Sequence, residues 1–229
     1  MAKHIKLFVF SMMFSLPLAA ESLYVFVPTE VRANVMQDKI GSFCSGVDVT
    51  VFGRAKDFHK QVKANPPNAI LSLMPVVNHS ASFNSALNGS KNGSETEEYV
   101  LVSVDKGLDL AAIAGKKIGV VDLLGRKPMS AFITELFKTK VKLKRVTKVE
   151  DLLPLITFGS VDGIFIAESL YAQLKSKSNL NLISTKLNMK IGLVSAAISG
   201  ATDKNVTECI AAFDSELNTT LGVDKWRAL

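Results

Sequence analysis

The sequence is poor in the residues that build redox, metal and catalytic sites. It contains two cysteines and three histidines among 229 residues. Cys44 and Cys209 are far apart in the chain, which excludes a CxxC redox or zinc motif. Neither a GxSxG nor an HExxH motif occurs, so the hydrolase and metalloprotease classes that use them are not indicated. We therefore predict no enzymatic activity, no cofactor and no metal site.

Tyrosine and tryptophan, which stack on sugars and quaternary amines, are also few. The chain has three tyrosines and a single tryptophan, Trp226, and this argues against recognition by an aromatic cluster. The formal net charge is +6, and it falls to +4 without Lys3 and Lys6. A charge this small does not indicate nucleic-acid binding, but it mildly favours the attraction of a small anion.

No apolar run reaches the roughly 20 residues that a helix needs to span a bilayer. Residues 1–20 instead have the parts of a secretory signal peptide, with basic Lys3 and Lys6, the apolar run Leu7–Leu18, and small residues before Glu21. An uncleaved membrane anchor is the alternative. Export predicts a periplasmic, secreted protein in an oxidising compartment.

Export makes a disulfide between the two cysteines of the exported chain feasible. Cys44 follows the first predicted helix and Cys209 lies in the last one. A disulfide requires close Cα atoms, a distance that the sequence does not give. The two residues are therefore either a disulfide that joins the two ends of the chain or a pair of buried thiols.

The exported part alternates between short β-rich runs and amphipathic helical runs. The first third predicts β-α-β-α-β, over residues 23–27, 30–43, 47–52, 55–64 and 69–74. The stretch Asn78–Thr96 is rich in Ser, Asn and Gly, and it predicts a long mobile loop with at most one helical turn, around Ser82–Leu87.

The second half repeats the alternation. It predicts strands at residues 98–104, 117–121, 142–146, 163–167, 180–184 and 190–196. It predicts helices at residues 108–113, 128–139, 149–158, 169–175 and 205–221, the last one capped by Asp203. We expect an α/β fold with two lobes of parallel or mixed sheet. Lobe 1 would comprise residues 21–100 and 197–229, lobe 2 would comprise residues 101–196, and two hinge crossovers, 98–104 and 190–196, would join them.

Several runs in this pattern resemble one family. They are Glu98–Val102 before Lys106-Gly107, Ala114–Val120, Asp151–Leu155 with Gly159, and Val161–Gly163. With these runs the chain is similar to type II periplasmic solute-binding proteins of ABC importers, nearest the phosphate/phosphonate-binding group. The likeness covers most of the exported chain and is strongest over residues 98–167. It implies a monomer that closes two lobes on a small anionic solute and delivers it to a membrane permease.

Two other functions are compatible with the same resemblance. The chain is short for the family and its first lobe lacks a clear ligand motif, which favours a sensor or interaction module that passes a signal to a membrane partner. An enzyme on this fold, similar to the cytoplasmic dehydratases of menaquinone synthesis, is the third alternative. The predicted signal peptide argues against that enzyme.

The candidate binding residues follow predicted strands, at the starts of predicted helices. Such positions offer unpaired N–H groups and the positive end of the helix dipole to an anion. The strongest candidate is the turn Asp122–Ser130, because Arg126 has a planar fork suited to carboxylate or phosphate and a glycine and a proline flank it. Arg126 could also be a solvated loop residue, and Thr29 a plain N-cap. Glu168 would bind an amine on the solute or simply favour the helix dipole. The predicted ligand-binding residues are Thr29, Pro75, Arg126, Ser130 and Glu168.

Overall fold

The computed structural model describes residues 20–200 and 204–229. Residues 1–19 of the predicted signal peptide and the predicted cap Asp203 lie outside these ranges. The described strands are β1 (Glu21–Phe26), β2 (Val47–Val51), β3 (Ala69–Leu73), β4 (Asn84–Ser90), β5 (Thr96–Val104), β6 (Lys117–Val121), β7 (Lys142–Val146), β8 (Gly163–Ala167), β9 (Leu182–Gly192), β10 (Val194–Ile198) and β11 (Lys225–Ala228).

The described helices lie between these strands and before the last one. They are α1 (Ala33–Phe43), α2 (Ala55–Ala64), α3 (Met74–His79), α4 (Arg126–Phe137), α5 (Leu152–Thr157), α6 (Glu168–Ser176), α7 (Lys204–Ala211) and α8 (Ser215–Leu221), with a short 3₁₀ helix at Leu110–Ala112. Across residues 20–200 and 204–229, no helix has the length and apolar character needed to cross a bilayer.

The strands form two mixed sheets. The first has the order β11-β4-β10-β3-β1-β2, and the second has the order β7-β6-β8-β5-β9. In the first sheet β1 runs parallel to β2 and β3, whereas β10 is antiparallel to β3 and β4. In the second sheet β6 runs parallel to β7 and β8, whereas β5 is antiparallel to β8 and β9. The predicted α/β fold with mixed sheets is confirmed.

The chain passes between the sheets twice. It leaves the first sheet after β4 and returns between β9 and β10, so the second sheet is a continuous insertion in the first. At the return point the Leu193 N–H donates to the Glu95 carbonyl, at 2.9 Å, and the Leu193 carbonyl accepts from the Met74 N–H, also at 2.9 Å. These bonds tie the two passages and the end of β3 to one another.

The prediction of a long loop at Asn78–Thr96 is wrong. The structure extends α3 through His79 and forms β4 at Asn84–Ser90, where a helical turn was the only predicted element. Strand β4 lies between β10 and β11, so its polar residues gain backbone partners on both sides. Long-range pairing outweighs the weak β-propensity of asparagine and glycine here.

The prediction of one continuous closing helix over residues 205–221 is also wrong. The structure has two helices, α7 and α8, separated by Ala212, Phe213 and Asp214. The Asp214 side chain caps α8 by accepting from the Leu217 N–H at 2.7 Å. A short side chain that satisfies a free helix N–H favours a new helix start over continuation. The strands predicted at residues 180–184 and 190–196 correspond to β9 and β10, which have different bounds, Leu182–Gly192 and Val194–Ile198. Strand β11 was not predicted.

A disulfide lies in the core of the first sheet. Cys44, just after α1, is bonded to Cys209 of α7, with 5.0 Å between their Cα atoms. Both residues are buried among apolar side chains that include Met36, Ile40 and Ile210. The bond therefore joins an early helix to a late one within a single hydrophobic cluster.

A second hydrophobic cluster extends across both sheets. Phe26, Phe58 and Ile70 of the first-sheet region pack in the same cluster as Leu101 and Ile118 of the second sheet. Phe58 is fully buried, and its ring lies 5.7 Å from the Phe26 ring. The two sheets are therefore held together by apolar packing that is continuous with the cores beneath them.

Gly89 in β4 allows close packing of β4 against β10 and the chain before β11. A Cβ at this position would lie 2.6 Å from the Val194 carbonyl oxygen and would also collide with the Val223 side chain. We expect Gly89→Ala to lower the free energy of unfolding by about 1–3 kcal/mol, because overpacking forces backbone shifts. Gly53→Ala is the matched control, since its Cβ would meet only Ala33 at 3.9 Å. Chemical denaturation measures both, and equal stability of the two variants would contradict the strand packing described here.

Candidate functional site

A cavity of about 500 Å³ lies between the two sheets. It opens where parallel strands of both sheets end, because Leu73 of β3, Val121 of β6 and Ala167 of β8 line it together with the segment Val27–Val31 after β1. Ligands of open α/β sheets bind at the carboxyl ends of their strands. The position and volume of this cavity are those of a small-molecule site.

Most of the cavity wall is apolar. The apolar wall residues from strands and helices include Leu73, Val120, Val121, Leu123, Met129, Phe132, Leu152, Phe165, Ile166, Leu193 and Val194. Three aromatic rings belong to the lining, and those of Tyr99 and Phe165 pack with 4.9 Å between their centroids. Burial of an organic solute against this wall would be favourable by the hydrophobic effect.

One side of the cavity is closed by hydrogen bonds between its two walls. The Glu30 Oε1 atom, after β1, accepts from the Lys177 Nζ at 2.7 Å and from the Gln173 Nε2 at 3.3 Å. Glu30 and Lys177 side chains are each 49% exposed. An ion pair this exposed contributes little stability, so its main effect is to hold α6 beside the segment Val27–Val31.

Further polar side chains of the lining come from β5 and from the turn before it. Glu97 and Tyr99 lie two residues apart in β5, so their side chains project from one face of the strand. Lys91 reaches the cavity from the turn between β4 and β5. Desolvation raises the pKa of the Tyr99 hydroxyl, and the Glu97 carboxylate adds to the rise. The phenol is therefore neutral at physiological pH and can donate or accept a hydrogen bond.

A second hydrogen bond between the two sheet regions involves α2. His59 Nε2 donates to the Leu123 carbonyl at 3.0 Å, and the His59 ring lies 6.1 Å from the ring of His79. His59 is partly buried. The bond links α2 of the first-sheet region to the segment that follows β6.

Thr29 is the predicted binding residue that lines the cavity. It does not cap a helix, because α1 begins at Ala33 and its cap position is Arg32. Its Oγ1 accepts instead from the Val31 N–H at 3.2 Å, within the loop. Thr29 thus shapes the segment Val27–Val31 and presents a hydroxyl beside the cavity.

Arg126 and Ser130 lie outside the lining of this cavity. Both are exposed, Arg126 as the first residue of α4 and Ser130 as its fifth. Asp122 fixes the turn before α4, because it accepts from the Gly125 N–H at 2.9 Å and from Arg145 Nη1 at 2.8 Å. The turn points Leu123 and Met129 into the cavity rather than the basic side chains.

The remaining two predicted residues also lie apart from the cavity. Glu168 begins α6 and forms an ion pair with Lys186 of β9, at 3.4 Å, while its neighbours Ala167 and Ser169 line the cavity. Pro75 lines a separate groove of about 420 Å³ between α3 and α4. Of the five predicted residues, the structure therefore brings only Thr29 to the central cavity.

Sequence reasoning did not select Glu97, Lys91 or Gln173. Glu97 precedes by one residue the predicted strand 98–104, and the alternation of Glu97 and Tyr99 was the available signal. Lys91 and Gln173 carry no comparable signal, because Lys91 falls in the predicted loop and Gln173 on the outer part of a helix. Among residues 20–200 and 204–229, no three His, Cys, Asp or Glu side chains gather in a way that could hold a metal ion.

The fold is similar to that of many solved structures, although no protein-family model and no curated protein matches the sequence. XAC2383 from Xanthomonas citri bound to ATP is 8% identical with a TM-score of 0.63, and the match covers 91% of each chain. An amino acid ABC transporter substrate-binding protein, AbpA from Streptococcus pneumoniae bound to L-arginine, is 13% identical with a TM-score of 0.55, over 88% of this chain and 93% of that chain.

A third similar structure is a VFT2 domain. The VFT2 domain of Bordetella pertussis BvgS is 11% identical with a TM-score of 0.56, and the match covers 88% of this chain and 91% of that chain. Identities this low carry information about fold and not about ligand. The chain therefore has the two-sheet fold of periplasmic solute-binding and Venus flytrap domains.

Proposed function

We propose that this chain is an exported solute-binding protein that closes two lobes on a small organic solute. The sequence predicts lobes of residues 21–100 with 197–229 and residues 101–196, whereas the two sheets change over at Glu95 and Leu193, so strand 98–104 lies within the second sheet and not at a crossover. The observation that supports this function best is the cavity of about 500 Å³ between the sheets, with an apolar wall and a few polar groups. Its volume falls within the range of roughly 300–1,000 Å³ typical of small-molecule sites.

The sequence predicts an anionic solute, and the cavity favours one member of that class. Phosphate and phosphonate require several convergent donors, whereas Lys91 is the basic residue of the lining and Glu30 and Glu97 are acidic. An organic carboxylate needs fewer donors and can place an apolar body against Leu152 and Phe165. We therefore propose a carboxylate. Arg126, Ser130, Pro75 and Glu168 stay predictions as ligand residues.

The role of the closed protein is binding rather than reaction. A solute that contacts both lobes at once would stabilise the closed conformation, because those contacts can form only when the lobes are together. The resemblance, together with the substrate-binding proteins among the similar structures, supports delivery of the solute to an ABC permease. Signalling to a membrane sensor is the second candidate, because the BvgS VFT2 domain shares the fold. Affinity capture of a permease, rather than of a sensor kinase, from the native membrane would distinguish the two.

The solute proposal is tested by calorimetry and thermal shift with organic carboxylates, inorganic phosphate and a phosphonate. We expect an apolar carboxylate to bind and to stabilise the fold by about 2.7 kcal/mol at a concentration 100 times its Kd. Ser169 is exposed and lines the cavity, so Ser169→Trp should abolish binding by obstructing it.

Ser176→Trp is the matched control on the same helix, because Ser176 is exposed and lies outside the cavity lining. Binding that survives Ser169→Trp, or that Ser176→Trp removes equally, would place the solute elsewhere. Preference for inorganic phosphate over every organic carboxylate would return the assignment to the phosphate/phosphonate class.

A further inference from the structure

We propose that one edge of the second sheet docks on an anionic membrane surface. This edge lies at the amino ends of the parallel strands β6, β7 and β8, whereas the cavity opens at the carboxyl ends of β6 and β8. We call it the basic edge, and it comprises five lysines and one phenylalanine, Lys116, Lys117, Lys138, Lys140, Lys142 and Phe158. Docking at this edge is separate from solute binding and does not depend on the identity of the solute.

Three loops meet at the basic edge because each of them precedes a parallel strand. They are residues 114–116 before β6, 138–141 before β7 and 158–162 before β8. The Lys142 N–H donates to the Lys116 carbonyl at 2.7 Å, and the Asp162 N–H donates to the Lys117 carbonyl at 2.8 Å. Lys117 also lies directly beside Lys142 in the ladder of β6 and β7, so both side chains project from one face of the sheet. The three loops therefore form one continuous surface.

The sequence concentrates positive charge around this edge. Residues 116–148 contain ten lysines and arginines but two acidic residues, which gives a formal charge of +8. Residues 21–229 together carry +4, so the exported chain outside this stretch is acidic on balance. Charge this uneven attracts a surface of opposite sign to one side of the molecule.

Neighbouring carboxylates do not neutralise the basic edge. In the part of the chain that the structure describes, Lys116 is the one lysine of the five with an ion pair, at 3.8 Å to Asp162. The other four lysines are exposed. Asp105 and Asp109 follow β5, which is two strands from β6 in the sheet and therefore about 10 Å away. The basic edge thus keeps four ammonium groups available to an external anion.

Phe158 adds an apolar group beside these charges. It follows α5, and it is 81% exposed. Its N–H donates to the Pro154 carbonyl at 3.1 Å, and the Gly159 N–H donates to the Ile156 carbonyl at 3.1 Å, so a hydrogen-bonded turn fixes the backbone that presents the ring. Segments that bind membrane surfaces place apolar side chains at the boundary between headgroups and acyl chains, and basic side chains at the headgroups. Phe158 and the lysines provide these two kinds of group side by side.

The composition of the basic edge favours a membrane surface over an acidic protein. Lysine is depleted in protein–protein interfaces, whose centres are apolar, and the basic edge offers a single exposed ring rather than an apolar centre. Its five cations are all lysines. A compact, hydrated ammonium group suits a diffuse layer of phosphate charge, whereas the arginine fork suits fixed bidentate pairing.

Co-sedimentation of the exported form of the chain with lipid vesicles tests the proposal. We expect binding to vesicles of phosphatidylglycerol mixed with phosphatidylcholine, none to phosphatidylcholine alone, and a loss of binding at high salt, because salt screens exposed charges. In Lys138→Gln/Lys140→Gln/Lys142→Gln, the partition coefficient should fall by about 100-fold, as expected for three lysines at an anionic surface. Phe158→Ala should lower it by about 10-fold through the loss of apolar contact.

Lys56→Gln/Lys60→Gln/Lys63→Gln is the matched control, because it removes the same charge from three exposed lysines of α2. It should bind the anionic vesicles nearly as well as the unmodified protein does. Equal losses in the two triple variants would reduce the effect to net charge and would overturn the proposal.

Absence of vesicle binding by the unmodified protein would also overturn the proposal. So would binding to poly-L-glutamate that requires the three lysines in a protein that no vesicle binds, since an acidic protein would then be the partner. All of these substitutions replace exposed side chains, so the variants should unfold at the same temperature as the unmodified protein. Titration of the same variants with organic carboxylates measures solute binding independently of docking.

Discussion

Replacement of Phe58 by alanine should lower the free energy of unfolding by about 3–5 kcal/mol. Phe58 is fully buried, and it belongs to the cluster that packs the two sheets together. Its ring also contacts the rings of Phe26 and Phe52, each at 5.7 Å. Truncation would leave a cavity in the apolar layer that packs the two sheets together. The loss of stability therefore combines the lost burial of the ring with the cost of the empty space.

The chain provides a control with the same chemistry in the opposite environment. Phe158, which follows α5, is 81% exposed, and Phe158→Ala should change stability by no more than about 0.5 kcal/mol. Urea denaturation followed by fluorescence and by circular dichroism would measure both variants. A loss of less than about 1 kcal/mol for Phe58→Ala would contradict the continuous core between the sheets.

Loss of the Cys44–Cys209 disulfide should lower stability by about 2–5 kcal/mol. The bond connects residues that are 165 positions apart, and a cross-link over a long loop restricts the unfolded chain strongly in the chain-entropy description. Both cysteines are buried, so the double variant Cys44→Ala/Cys209→Ala also removes two sulfur atoms from the core. Comparison of thermal unfolding of the two proteins measures the effect.

Reduction of the unmodified protein separates the cross-link from the packing. If the cross-link dominates, treatment with dithiothreitol should reproduce most of the loss, and the double variant should show no further response to the reductant. Full stability of the reduced protein would contradict a structural role for the bond. Free thiols detected in protein purified without a reductant would contradict the bond itself.

The parts of the fold that could be predicted are those whose own residues determine them. Strands β1 and β3 are apolar runs, and α1 places Met36 and Ile40 on one buried face, so local pattern and tertiary structure agree. Strand β4 could not be predicted, because pairing with β10 and β11 holds Asn84–Ser90 in an extended conformation that its own residues do not favour. The break at Asp214 depends on one side-chain hydrogen bond, which an otherwise helical pattern concealed.

The same distinction between local sequence and distant contacts applies to the candidate site. Thr29 could be predicted because it comes directly after a recognisable strand. The cavity itself is made where five or more distant segments meet, and its wall consists of leucine, valine and phenylalanine residues that any core would contain. Arg126 had the chemistry of an anion-binding residue, but the Asp122–Arg145 pair turns the chain so that Arg126 is exposed. Such orientation depends on contacts between residues more than 20 positions apart.

The insertion of the second sheet has a consequence for biosynthesis. Strands β5–β9 form a continuous segment, Thr96–Gly192, whereas the first sheet needs β10 and β11 from the end of the chain. During synthesis from the N-terminus, the second sheet can pair all its strands while the first sheet still lacks its central strand β10. The edge of β3 therefore stays unpaired until some 120 further residues have been made and β10 is available to cover it. A nascent chain would most need a chaperone during this interval.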